Sequence, residues 1–207
     1  MQTLGQGVSL GLRNFWALFL ALLLYVITLW IPYLNVGTTV GMYRLVINIS
    51  KGDSIDPLSI FEKENFSQLG DVFLLLGFMT MGCVIALLFM VIPFFVISIA
   101  WMFAVYAMVD KKVTPTVALS LSYRVTMGEK WRLFLLEVIM ILAISLVSAL
   151  FAEIPVVGPI LSFVASLVSV AIVVGILAVM YRHFSEKMDS CLPEVSKAES
   201  LNSESGD

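Results

Sequence analysis

Asp71–Val109 reads DVFLLLGFMTMGCVIALLFMVIPFFVISIAWMFAVYAMV, an apolar block of 39 residues. One membrane-crossing helix needs about 20 residues, so the block is too long for one crossing and suits two. Ile92-Pro93 falls near its centre. Proline lacks the amide N–H and disfavours helix at the residue before it, so it marks a reversal point. The same dipeptide recurs as Ile31-Pro32 and Ile154-Pro155, at spacings of 61 and 62 residues. Both lie in comparable apolar blocks, Asn14–Ile49 of 36 residues and Leu133–Met180 of 48. The pattern predicts three copies of one unit, each folding back on itself.

Composition agrees. The chain has 207 residues, 60% hydrophobic and 13% charged, with mean hydropathy +1.00. A soluble domain carries about 25% charged residues. The expected fold class is therefore an all-α integral membrane protein: six transmembrane helices as three hairpins, with short interfacial helices between them. The spans are expected at roughly 14–31, 33–49, 71–91, 93–109, 132–152 and 157–181. The repeats cover about 14–70, 71–131 and 132–184, within one membrane domain, 1–184. The N-terminal apolar run has no small-x-small cleavage site and reads as a mature span. Residues 185–207 are Ser/Glu-rich and are expected to be a disordered cytoplasmic tail.

The connectors resemble each other. Ile55-Asp56-Pro57 parallels Val113-Thr114-Pro115. In the second connector Val117, Ala118, Leu121 and Val125 share one helical face, and Thr116, Ser120, Tyr123 and Arg124 the other. A helix so divided after a proline is expected to lie in the membrane interface. The first connector carries a weaker version in Leu58, Phe61 and Asn65, with an extended loop as the alternative.

With six spans, all twelve Lys and Arg fall on one side: Arg13, Arg44, Lys51, Lys63, Lys111, Lys112, Arg124, Lys130, Arg132, Arg182, Lys187 and Lys197. The positive-inside rule makes that side cytoplasmic, with both termini. Trp30, Tyr33, Trp101, Tyr106, Trp131 and Tyr181 fall near span ends, as interfacial aromatics do.

An intramembrane carboxylate is the first place to seek chemistry. Glu137 lies inside the fifth span, with Ser145 and Ser148 following at helical spacing. That narrow polar face is expected to point into the bundle, with Glu137 paired to Arg132, Arg124 or Arg182. Glu153 is a turn residue. Gly37 and Gly41 form a GxxxG, and Ser162, Ser166 and Gly175 give small-residue spacing in the sixth span, where such residues let helices approach. Arg44, Arg124, Arg132 and Arg182 are candidate contacts to lipid headgroups, since arginine grips phosphate with two parallel bonds. No Walker loop, HExxH, GxSxG or GxGxxG occurs. His183 is the only histidine, and Cys83 and Cys191 are placed too differently to pair. No metal, cofactor or catalytic residue is expected, and the net charge of −3 suggests no nucleic-acid partner.

Gly41-Met42-Tyr43, Lys51-Gly52 followed by Phe61, and Gly128-Glu129-Lys130-Trp131-Arg132-Leu133-Phe134 carry a resemblance. Over most of residues 35–182 the chain resembles bacterial multi-pass membrane proteins similar to the membrane domain fused to some glycerophosphodiester phosphodiesterases. The resemblance implies a six-helix bacterial inner-membrane protein. It carries over no activity, because the acidic and histidine residues of the phosphodiesterase domain have no counterpart here. The expected function is therefore non-enzymatic, through membrane lipids, a membrane-protein partner or a homo-oligomer at the cytoplasmic face. The alternative is a small transporter or channel with Glu137 in its path.

Overall fold

Two of the Ile-Pro dipeptides begin helices. In the computed structural model, which describes residues 2–152 and 158–204, Ile31 is extended (φ −113°, ψ 100°) and Pro32 opens the next helix. Met90 is fully extended, and Pro93 sits in the first turn of the helix after it. Proline fits there, because a first-turn amide has no helical acceptor. The third copy, with Glu153, lies outside the described residues.

The described residues are helical with no strand. α1 (Gln2–Arg13), α2 (Phe15–Thr28) and α3 (Pro32–Lys51) lead to a 3-10 turn (Pro57–Phe61) and a short α4 (Lys63–Ser67). α5 (Leu69–Phe89), α6 (Val91–Ala100), α7 (Ala104–Lys111), α8 (Pro115–Thr126), α9 (Lys130–Ala152) and α10 (Gly158–Glu204) follow. Among the described residues helix covers most of each stretch expected to span, with one interruption inside 93–109. Consecutive helices pack as neighbours in the pairs α2–α3, α5–α6 and α9–α10. Three segments, Leu69–Phe89, Val91–Lys111 and Leu161–Lys197, are long and apolar enough to cross a membrane. The bent pair Gly5–Arg13 and Phe15–Thr28, at 70°, makes a fourth if it acts as one span. The chain is thus compatible with an integral membrane protein of three or four such spans.

Local chemistry sets the ends. α3 stops at Gly52, whose left-handed φ of +84° costs a glycine nothing. Gly52 N–H then bonds Ile49 O at 3.1 Å and Asp53 N–H bonds Asn48 O at 3.0 Å, the Schellman pattern that satisfies the last carbonyls. Asp56 caps the 3-10 turn by accepting from Leu58 N at 3.0 Å, and Pro57 follows it as Pro115 opens α8. The first connector therefore forms short helical turns, not an extended loop.

The span expected over 93–109 is broken at Trp101–Phe103, between α6 and α7. A break in apolar surroundings leaves peptide groups that need partners. α8 supplies them. Ser122 Oγ donates to Ala100 O at 2.7 Å and accepts from Phe103 N at 3.3 Å, and Thr126 Oγ1 reaches Ala100 O at 3.4 Å. All three groups are buried with α8's apolar face of Val117, Ala118, Leu121 and Val125, whereas Thr116, Ser120, Tyr123 and Arg124 are exposed. The two expected faces of α8 are present. The inner one clasps a broken helix.

The core gathers on α7, where every residue from Ala104 to Val109 is buried. Phe103 meets Phe184 at 4.9 Å, Tyr106 meets Tyr43 at 4.8 Å, and Tyr106 meets Tyr181 at 5.4 Å between ring centres. Tyr106 and Tyr181 are therefore core residues and not interfacial anchors, while Trp30, Tyr33 and Trp131 are exposed.

One further expectation needs correction. Residues 185–204 are helical, the continuation of α10. A stripe of Tyr181, Phe184, Met188 and Val195 is buried along it, at a spacing that keeps one face inward. This stripe outweighs the polar composition that suggested disorder. The N-terminal segment is α1, packed against α10. A Cβ on Gly175 would overlap the backbone of Gly7 and Gly11, and one on Gly11 would overlap Ala171, so the two helices touch backbone to backbone.

Candidate functional site

Charged side chains from four connectors and helix ends meet where α10 emerges from its apolar stretch. Asp110, the last acidic residue of α7, has a side chain only 5% exposed. It accepts from Lys51 at the end of α3 and from Tyr181 Oη of α10 at 2.7 Å, with Lys111 Nζ at 3.5 Å. Lys111 reaches on to Asp189 at 2.6 Å. Beside this set, Glu64 of α4 binds Arg44 at 2.6 Å and Lys112 at 2.9 Å. A carboxylate among fixed cations is stabilised in its charged form. Hydrogen bonds from Lys112, then from Arg44, accordingly hold the Glu64 carboxyl below the usual range.

The α10 extension is fastened at two further points. Lys187 pairs with Glu129, just before α9, and this hydrogen bond is the main cause that lowers the Glu129 pKa. Arg124 of α8 meets Glu194 at 3.2 Å, with both side chains largely in solvent. Lys130 lies over the Tyr123 ring, 4.4 Å from its centre. Between α8 and the extension is an open groove of about 1080 Å³, and a smaller cavity of about 240 Å³ lies between α1, α9 and α10.

The candidate residues separate into those the fold brings together and those it leaves apart. Arg44 is not a free headgroup contact: its side chain is 16% exposed and turned to Glu64, with Nε and Nη2 buried. Arg124 borders the groove, and Arg132 and Arg182 are exposed. Glu137 and Ser145 are exposed on α9, so the polar face expected to point into the bundle points out of it. α9 buries Leu133, and the smaller cavity touches its Ile139, Met140, Ala143 and Ile144. Glu137 thus lies at the exposed edge of the side that α9 turns to its neighbours. Neither the cavity nor the groove is lined by Glu137. The side chain of Ser148 lies outside the described residues.

The glycines make close contacts, and the serines do not. Gly37 lies under the Phe66 ring, and Gly41 under Ile60 and Asn65, so this GxxxG seats the first connector. Gly175 receives α1. Ser166 is exposed and bonds only Phe163 O in its own helix at 2.7 Å, and Ser162 is half-buried.

Asp110, Glu64 and Ser122 were not singled out by sequence. Asp110 had a signal, as the acid that ends an apolar block beside Lys111-Lys112. Gly7 and Gly11 also had one, a second GxxxG. Among the described residues no three His, Cys, Asp or Glu gather as a metal site requires. Compared with family models, curated proteins and solved structures, the chain matches none.

Proposed function

We propose that this chain is a non-enzymatic integral membrane protein that acts by holding lipids or a partner protein at its charged face. One observation carries the reading. The α10 extension lies along α7, α8 and the start of α9, with ion pairs at Lys111–Asp189, Arg124–Glu194 and Lys187–Glu129. α10 has 47 residues, about 70 Å at 1.5 Å per residue, against about 30 Å of hydrocarbon. More than half of it is therefore available to build a surface outside the bilayer.

In this reading α2, α3, α5, α6–α7, α9 and α10 cross a bacterial inner membrane as three repeated hairpins. The charged face and both termini are cytoplasmic. The basic residues and the resemblance of Gly41-Met42-Tyr43 and Gly128–Phe134 to phosphodiesterase-linked membrane domains support this. Purification of the full chain in mild detergent tests the function. Reproducible enrichment of anionic lipid or of one protein is expected. Recovery of bulk lipid alone, with no recurring protein, would overturn the proposal.

A further inference from the structure

The 1080 Å³ groove between α8 and the α10 extension has walls of two kinds. Trp101, Met127, Cys191 and Val195 supply apolar surface, and Arg124 and Tyr123 stand at the rim. Trp101 belongs to the apolar segment Val91–Lys111, with its ring over Gly82 of α5, so the groove joins a candidate span to the charged cluster. Tyr123 in turn carries Lys130 over its ring, 4.4 Å from the centre.

Arg124 is the informative residue. Its bond to Glu194 is a single contact at 3.2 Å between side chains 44% and 74% exposed. Such exposed pairs are worth about 0–1 kcal/mol. A phosphate can bind the guanidinium through two parallel bonds, so it outcompetes this carboxylate at little cost. Glu194 marks where an anionic group sits.

We infer that this groove binds an anionic membrane phospholipid, with its phosphate on Arg124 and an acyl chain along Trp101, Met127 and Val195. The inference rests on the proposed lipid-binding face and names its site. A soluble anion would leave the apolar walls wet, and a zwitterionic lipid would bring a cationic group towards Arg124. Glu194 acts as a built-in competitor that yields to the lipid.

Native mass spectrometry of the full chain in mild detergent, titrated with phosphatidylglycerol or phosphatidylcholine, tests this. Wild type should retain phosphatidylglycerol preferentially. Arg124→Gln should weaken retention roughly tenfold, the loss of one charged hydrogen-bond pair. Glu194→Gln should strengthen it, and Ser120→Trp, which fills the groove from an exposed position, should abolish it without lowering the melting temperature. Preference for phosphatidylglycerol that all three variants share overturns the groove and leaves the broader reading standing. Displacement of the lipid by inorganic phosphate at equal concentration, or by an acidic peptide, overturns it too. Failure to retain any lipid class or partner protein overturns both.

Discussion

Ser122 shows how much one side chain can hold. Its hydroxyl serves both sides of the Trp101–Phe103 break, donating to Ala100 O and accepting from Phe103 N. Buried polar groups left without partners cost about 1–3 kcal/mol each. Ser122→Ala is therefore expected to destabilise by about 2 kcal/mol or more, read as a lower melting temperature in detergent, whereas exposed Ser120→Ala should change little. A wild-type melting temperature in Ser122→Ala would show that the break finds other partners. Glu64 and Glu129 make a second residue-scale prediction. Both carboxyls titrate lower in the folded chain than in the unfolded one, because lysine and arginine bond their charged forms. Their contribution is complete above the unfolded pKa, about 4.3 for glutamate. It is lost as pH falls through the folded values, where the unfolded chain takes up the proton first. Melting temperature should fall below about pH 4, and less steeply in Glu129→Gln. An identical acid limb in that variant would remove Glu129 from the effect.

At the scale of elements, the helices were legible and their interiors were not. Apolar length and proline position place α5, α6, α9 and the start of α3 within a few residues, because those signals are local. The break between α6 and α7 has no local signature, since the residues that stabilise it lie on α8. The helical C-terminus was hidden differently. Its Ser/Glu composition describes the exposed face, and only the spacing Tyr181, Phe184, Met188 and Val195 records the buried one. Trypsin distinguishes the two accounts. Cleavage after Lys187 should be slow in the intact chain and rapid in Lys111→Ala/Arg124→Ala, which releases two of the three fastenings; rapid cutting of wild type would restore disorder. The contact of α1 with α10 makes a parallel prediction. Gly175→Leu places a side chain against the backbone of Gly7 and Gly11, and overpacking of this kind costs about 1–3 kcal/mol. Loss of stability that Gly7→Ala does not share with it would argue that the crossing is loose.

For the whole molecule, the charge pattern in the sequence anticipates a basic face but not its internal pairing. Arg44, Arg124, Arg132 and Arg182 were read as contacts for headgroups. Asp110, Glu64, Glu129 and Glu194 instead engage six basic residues, Lys51, Lys111, Arg44, Lys112, Lys187 and Arg124. Arg132 and Arg182 stay exposed. Glu137 fits neither account of the site: its spacing with Ser145 was visible, but which side of α9 meets the bundle depends on α10 and α1. Topology is open to direct test. Cys191, half-buried on the extension, and Cys83, in α5, are both free thiols. A membrane-impermeant maleimide should modify Cys191 in inverted vesicles and not in intact spheroplasts. The opposite pattern would reverse the proposed orientation.

The backbone contact at Gly175 gives α10 a fulcrum. The helix is continuous from its apolar stretch into the charged cluster, and Lys187 lies about 18 Å beyond the contact at 1.5 Å per residue. A tilt of about 10° at the fulcrum would swing Lys187 by roughly 3 Å, the length of an ordinary ion pair. Such a swing would separate Lys187 from Glu129.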